Sequence, residues 1–179
     1  PIIDRLLIAS KHEPNHRYPE TDGLPEFRQA IAEWYKNRFS VELDPDSEVL
    51  PLIGAKEGIG HAAFCFLDPG DIALIPDPAY PVYGVGTMFA GAKSYTMPLT
   101  ESNNWLPDYT AIPEDIARKA KVMWLNYPNN PTSAIASASD FEEAISFCKK
   151  YDIALLHDAA YSEIGYEGYS PLSFMEIPG

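Results

Sequence analysis

The chain has 179 residues, with 13 Lys plus Arg against 26 Asp plus Glu, a formal charge of −13, and 46% hydrophobic and 22% charged residues. Length and balance suit one globular domain of ordinary size, and the net charge excludes polyanion partners, so neither nucleic acid nor an acidic membrane surface is expected. No apolar run approaches the roughly 20 residues of a membrane span, Pro1-Ile2-Ile3-Asp4-Arg5 lacks signal-peptide features, and the two cysteines, Cys65 and Cys148, read as buried thiols, all of which points to a soluble, cytoplasmic protein.

The 17 prolines sit at joints between periodic segments, as punctuation rather than as a Pro-rich tail. The first strong helix follows Asp22-Gly23, with Leu24, Phe27, Ile31, Trp34 and Tyr35 at helical spacing and Pro25 in its first turn. Residues 47–53 read as a strand feeding Gly54-Ala55-Lys56-Glu57-Gly58, and a helix then runs to Phe66, ended by the turn Asp68-Pro69-Gly70-Asp71. Residues 72–75 form a short apolar run, as in a strand covered on both faces. A helix over 81–90, a strand over 93–97, a loop over 102–113 and a short helix over 114–119 follow. Residues 122–125 are the next buried strand, running into Asn126-Tyr127-Pro128-Asn129-Asn130-Pro131-Thr132. An amphipathic helix over 140–151 carries Phe141, Ala144, Ile145 and Cys148 on one side, and a last strand over 153–156 ends in His157-Asp158.

Strand and helix thus alternate, the pattern of an α/β fold with a mostly parallel sheet between helical layers. Ligands collect at the carboxyl ends of such strands, where three polar clusters fall: Gly54-Ala55-Lys56, Asn129-Asn130-Pro131-Thr132 and His157-Asp158. The first puts small residues and a cation at a helix N-terminus, which suits a phosphate as well as an ordinary turn. It is neither a P-loop nor a Rossmann fingerprint. Asp158, with Tyr161 three residues on, is either a turn residue or a buried anion that keeps a ligand's ring nitrogen protonated, the Tyr161 hydroxyl touching a neighbouring oxygen. Asn130 reads as a plain turn or as an amide aimed at a ligand oxygen, and Tyr80 as core packing or as a ring stacked on a flat ligand. His61 and His157 lack partners at metal spacing, so no metal site is expected. No Gly-x-Ser-x-Gly is present, and neither cysteine has a nearby base.

Taken in order, these clusters resemble the large domain of class I/II aminotransferases, the fold-type-I enzymes that use pyridoxal 5′-phosphate. The resemblance runs from about Arg17 to Gly179. It implies a three-layer α/β/α fold, with residues 1–46 as an N-terminal segment bearing a dimer-contact Tyr and the first helix. Residues 47–179 would be part of the cofactor-binding large domain, with the small domain absent. By this resemblance Tyr18, in Tyr18-Pro19-Glu20-Thr21-Asp22-Gly23, reaches the cofactor phosphate of the other subunit of a homodimer. Gly54, Ala55 and Lys56 hold the phosphate, Tyr80 stacks on the pyridine ring, Asn130 and Tyr161 meet its phenolic oxygen, and Asp158 meets its nitrogen.

Within the family, the phrases around Gly54, Asn130 and Asp158 look most like LL-diaminopimelate aminotransferases, which implies LL-2,6-diaminopimelate and 2-oxoglutarate as amino acid and 2-oxo acid substrates in lysine biosynthesis. Aspartate- and alanine-type aminotransferases share most of these motifs. Two departures stand out. Ser133 replaces the family's Gly after Asn-Pro-Thr, so a strained turn with an intact Asn130 contact is expected. The family's Schiff-base Lys follows Asp-x-x-Tyr, whereas the last lysines here are Lys149 and Lys150. The substrate-carboxylate Arg and the N-terminal arm are missing too. The chain is therefore read as a partial one, inactive alone. A non-catalytic pseudoenzyme, a lyase or decarboxylase of the same fold, and a plain nucleotide-binding domain are the competing readings.

Overall fold

A computed structural model describes residues 1–178. Two compact units divide the chain, Pro1–Pro51 and the residues from Leu52 onward.

In the first unit, α1 (Ile2–Ala9) and α2 (Pro25–Phe39) are separated by a 3-10 turn over Glu13–His16. Helix α2 is the one expected after Asp22-Gly23, with Pro25 in its first turn and Ser40 closing it in the left-handed region at φ 57°. Helix α1 has no counterpart among the expected elements. It buries none of its residues, and Ile2, Ile3, Leu6, Leu7 and Ile8 all stand exposed. The anchor of this unit is Arg28, only 6% exposed. Its guanidinium donates to Asp22 Oδ2 at 2.6 Å, to the Gly23 carbonyl at 2.8 Å, to the Pro45 carbonyl at 2.9 Å and to Asp46 Oδ1 at 3.0 Å. Two turns far apart in sequence are thereby tied to one helix, and the planar fork of donors is what allows it.

The strand expected over 47–53 does not form. The Glu48 N–H donates to the Asp44 carbonyl at 2.9 Å and Ser47 Oγ to Asp44 Oδ2 at 2.8 Å, so the segment opens as a turn. Pro51 has no N–H to give a ladder, and Leu50, Leu52 and Ile53 are exposed rather than covered by a layer.

The second unit holds α3 (Ala55–Phe66), β1 (Ile72–Asp77), α4 (Val82–Phe89), β2 (Lys93–Pro98), α5 (Glu114–Ala117), β3 (Ala120–Asn126), α6 (Ala138–Tyr151) and β4 (Ala154–Asp158). The strands form one parallel sheet in the order β2-β1-β3-β4. Side chains alternate across it. Ala73, Ile75, Val122 and Trp124 pack with Ile59, Ala63 and Tyr83 of α3 and α4. Ile72, Leu74, Met123 and Leu125 pack with Ala117, Phe141, Ala144 and Cys148 of α5 and α6. The alternation of strands and helices predicts this parallel sheet, and the three-layer α/β/α arrangement is the one that the family resemblance implies. The loop over 102–113 tightens into two 3-10 turns, Glu101–Asn103 and Tyr109–Ala111, and Tyr109 stacks on Phe147 at 5.2 Å. Helix α6 starts before Asp140 because Ser137 and Asp140 form a reciprocal capping box.

Of the two cysteines, only Cys148 is buried. Helix α3 turns Ile59 and Ala63 inward and its cap residue Leu67 follows at the same spacing, one face of a helix that leaves Cys65 outside.

Candidate functional site

Because the sheet is parallel, β3 and β4 end side by side, with Asn126 in register with Asp158. The loops leaving these ends and the start of α3 enclose a cleft of about 210 Å³. Ala55, Lys56, Tyr80, Asn130, Asp158 and Tyr161 all line it. Six sequence-predicted positions, spread over more than a hundred residues of chain, are thus brought to one place. Gly54 stands at its edge as the N-cap of α3, with φ 97° and ψ 147°, a conformation open to glycine. Tyr18 belongs to the first unit, where its side chain is 99% exposed.

The start of α3 supplies positive potential. First-turn N–H groups have no partner inside their own helix, and the peptide dipoles add to them. The Lys56 ammonium adds a full charge and lies 5.8 Å from the centre of the Tyr80 ring. Glu57 turns back, its Oε2 accepting the Ile53 N–H at 2.7 Å, which leaves the outer end of the helix to Ala55 and Lys56.

Asp158 is fastened from below. The Tyr83 hydroxyl donates to Asp158 Oδ2 at 2.8 Å, and the Ala160 N–H lies 3.3 Å from Oδ1. Tyr83 is 1% exposed and lies flat against Trp124 at 4.8 Å. Its phenol is held well above the usual range, first because burial disfavours the phenolate and then because its hydroxyl donates a hydrogen bond to Asp158. Tyr80 meets the same ring edge to face at 5.9 Å.

Asn126 carries two contacts. Its Nδ2 donates to the Asp158 carbonyl at 2.7 Å and its Oδ1 accepts the Asn130 N–H at 2.7 Å. Sequence reasoning assigned no role to Tyr83 or Asn126. The available signals were a second tyrosine one helical turn after Tyr80 and a polar residue closing an apolar strand. Asn129 shapes the next turn, accepting from Thr132 Oγ1 at 2.8 Å.

Ser133 takes the left-handed conformation at φ 61°, the geometry that a glycine accepts without penalty. Asn130 nevertheless lines the cleft. A side chain in this conformation costs about 1–2 kcal/mol, and a glycine returns part of that gain as unfolded-state entropy, roughly 0.5–1 kcal/mol. Ser133→Gly is therefore expected to raise the melting temperature by roughly 1–4 °C. A lower melting temperature would show that the Ser133 side chain stabilises the turn.

His157, beside Asp158, is packed between the edges of Phe141 and Phe174 and shares a 3.1 Å hydrogen bond with the Tyr127 carbonyl. As that partner can only accept, Nε2 carries a proton. Burial lowers the pKa of this imidazole, opposed by the Tyr127 bond and the charge of Asp158. The unfolded chain takes up its proton near pH 6.5, roughly the free-imidazole value, whereas the folded chain resists until lower pH. Stability should fall as pH drops below about 6.5 and level off once the folded group has titrated. In His157→Gln this part of the urea-midpoint profile should flatten, and a slope equal to the wild type's would contradict the assignment.

The family description "aminotransferase class I and II" matches residues 2–177. LL-diaminopimelate aminotransferase of Dehalococcoides mccartyi strain 195 is 58% identical over 178 residues, covering 99% of this chain and 46% of that protein. The enzyme of the same name from Aquifex aeolicus strain VF5 is 50% identical over 179 residues, covering 100% of this chain and 46% of its own length. This chain therefore spans less than half the length of these curated relatives. Among solved structures, substrate-bound BacF from Bacillus subtilis superposes with a TM-score of 0.95 at 42% identity, over 99% of this chain and 45% of its own. A probable N-succinyldiaminopimelate aminotransferase from Thermus thermophilus gives 0.91 at 38%, over 99% and 47%. Sequence and fold agree over the length that carries the cleft, and this chain belongs to the class I and II aminotransferases.

Proposed function

We propose that this chain forms the cofactor-holding part of a pyridoxal-5′-phosphate-dependent aminotransferase that exchanges an amino group between an amino acid of the LL-2,6-diaminopimelate type and 2-oxoglutarate. The observation that carries the reading is the convergence of Lys56, Tyr80, Asn130, Asp158 and Tyr161 on one cleft at the carboxyl edge of the sheet. Relatives bearing the name LL-diaminopimelate aminotransferase, at 50% to 58% identity, support the substrate class.

The residues fit such a cofactor by their chemistry. A dianionic phosphate suits the N-terminus of α3 with Gly54, Ala55 and the Lys56 ammonium. Tyr80 offers a face for a flat ring. Asn130 and Tyr161 offer polar groups to a ring oxygen. Asp158, an anion fixed by Tyr83, would keep a ring nitrogen protonated. When bound, the cofactor supplies an electron sink for the reacting carbon of the amino acid. A protonated ring nitrogen beside Asp158 deepens that sink, and Tyr83 keeps the carboxylate aimed while excluding water behind it. The adjoining hollow, lined by Ser133, Ile135, Tyr166 and Tyr169, shares Asn130 and Tyr161 with the cleft and offers room for a substrate.

In this reading residues 47–179 are the large-domain part, and residues 1–46 bring Tyr18 to the second subunit of a homodimer. A cytoplasmic setting suits the two free cysteines. No lysine follows Lys150, so no residue beyond Asp158 in this polypeptide can attach the cofactor covalently.

Equilibrium dialysis with pyridoxamine 5′-phosphate tests the reading, because that ligand cannot form imines with surface lysines. The chain should bind it at least about tenfold more tightly than dephosphorylated pyridoxamine, the loss expected for a charge-assisted contact. It should not bind ATP, and it should show no turnover of diaminopimelate. Binding of ATP in preference would overturn the reading, and turnover by these 179 residues alone would overturn the expected inactivity.

A further inference from the structure

Two residues that face the cleft come from the end of β4 and from the loop after β3, and a single side chain joins their main chains. Asn126 is the last residue of β3 and is 2% exposed. Its Nδ2 donates to the carbonyl of Asp158 at 2.7 Å, across 32 residues of sequence. Its Oδ1 accepts the backbone N–H of Asn130 at 2.7 Å. Each group has the partner its chemistry needs, since the carbonyl can only accept and the N–H can only donate. A flipped amide would face donor with donor and acceptor with acceptor.

A local turn needs only the second of these bonds. An asparagine that merely shapes the loop after β3 would use Oδ1 on the following backbone and leave Nδ2 to solvent. Here Nδ2 points the other way, into β4, and the side chain is enclosed. The amide also binds main-chain atoms, not the Asp158 carboxylate or the Asn130 side chain. It therefore sets the height and spacing of the two backbones and leaves both side chains free for the cleft that they line. Tyr83 aims the Asp158 carboxylate from below, and Asn126 fixes the backbone from which it projects. The Asn129 side chain adds a further support, its Nδ2 donating to the Asn126 carbonyl at 3.2 Å.

We propose that Asn126 is a positioning residue that holds Asp158 and Asn130 at the mutual distance at which both side chains meet one ring. The proposal rests on the cofactor reading above and deepens it.

The test uses the ¹⁵N-labelled chain with Asn126→Leu, which removes both bonds, and Asn126→Asp, which keeps the acceptor for Asn130 and loses the donor for Asp158. In Asn126→Leu, amide hydrogen exchange of Asn130 should accelerate by at least about tenfold, as for one lost bond to a buried group. Amides of Val122 to Leu125 in the strand interior serve as the reference, so that general destabilisation is separated from local release. Asn126→Asp should keep the Asn130 amide protected, and it serves alone if Asn126→Leu does not fold.

Both variants should bind pyridoxamine 5′-phosphate at least about tenfold more weakly. Asn126→Leu and Asn130→Ala should be non-additive in that affinity, as expected of residues acting through one network. In Asn126→Leu, an unchanged Asn130 exchange relative to the strand reference would overturn the proposal; wild-type affinity in Asn126→Asp would overturn it as well. Faster Asn130 exchange in a chain that binds no pyridoxamine 5′-phosphate even as wild type would support the positioning role and overturn the cofactor reading instead.

Discussion

Asp158→Ala is expected to weaken the binding of pyridoxamine 5′-phosphate by about ten- to hundredfold. The carboxylate closes β4, where it lines the cleft and is tied to the Tyr83 hydroxyl at 2.8 Å. A hydrogen bond to a charged group contributes roughly 1.5–3 kcal/mol, which converts to that range of affinity. Removal also leaves the Tyr83 hydroxyl without its acceptor in a buried setting, so some loss of stability should accompany the loss of affinity. Tyr83→Phe separates the two effects: the carboxylate stays but loses its donor, and the affinity loss should be smaller than in Asp158→Ala. Equilibrium dialysis measures both. Wild-type affinity in Asp158→Ala would remove this residue from the site.

Phe141→Ala should produce the largest loss of stability, about 3–5 kcal/mol. Phe141 is 1% exposed and belongs to the cluster that fills the space between α6 and the sheet. Truncation leaves a void that close-packed neighbours fill only in part. It also removes the ring whose edge meets His157 at 5.1 Å, one residue before Asp158, so the strand end that carries the site loses its backing. Against a typical folding free energy of about 5–15 kcal/mol, this change leaves the chain marginal. Urea denaturation should show a lowered midpoint with an unchanged slope. A midpoint within error of the wild type would show that the α6 side of the sheet contributes little to the fold.

The centre of the sheet was legible because β1 and β3 are covered on both faces. Runs such as residues 72–75 and 122–125 are apolar at every position, and their shortness between turn residues marks them as strands rather than buried helix. The failures have equally specific causes. Residues 47–53 have the composition of a strand, but a strand needs a neighbour to receive its hydrogen bonds, and Pro51 withholds one of its own. Helix α1 has apolar positions at helical spacing around Asp4 and Arg5, yet it buries none of them. Cys65 lies in an apolar helix, yet only one face of that helix reaches the core.

The cleft residues were found through motifs, which are local. Gly54-Ala55-Lys56 announces a helix N-terminus, and Asp158 closes an apolar strand. Tyr83 and Asn126 matter through partners distant in sequence. Tyr83 meets Asp158 across 75 residues and Asn126 meets it across 32, and the parallel register of β3 with β4 is what brings the second pair together. Their roles emerge only once the strands are laid side by side.

The central claim is that the carboxyl edge of this sheet is a cradle for a phosphorylated pyridine. Titration of the ¹⁵N-labelled chain with pyridoxamine 5′-phosphate tests it most directly. The account predicts that the first amides to shift are those of Ala55, Lys56, Asn130 and Tyr161, with a single dissociation constant shared among them. Shifts confined to other surfaces, or none at these four residues at saturating ligand, would contradict it.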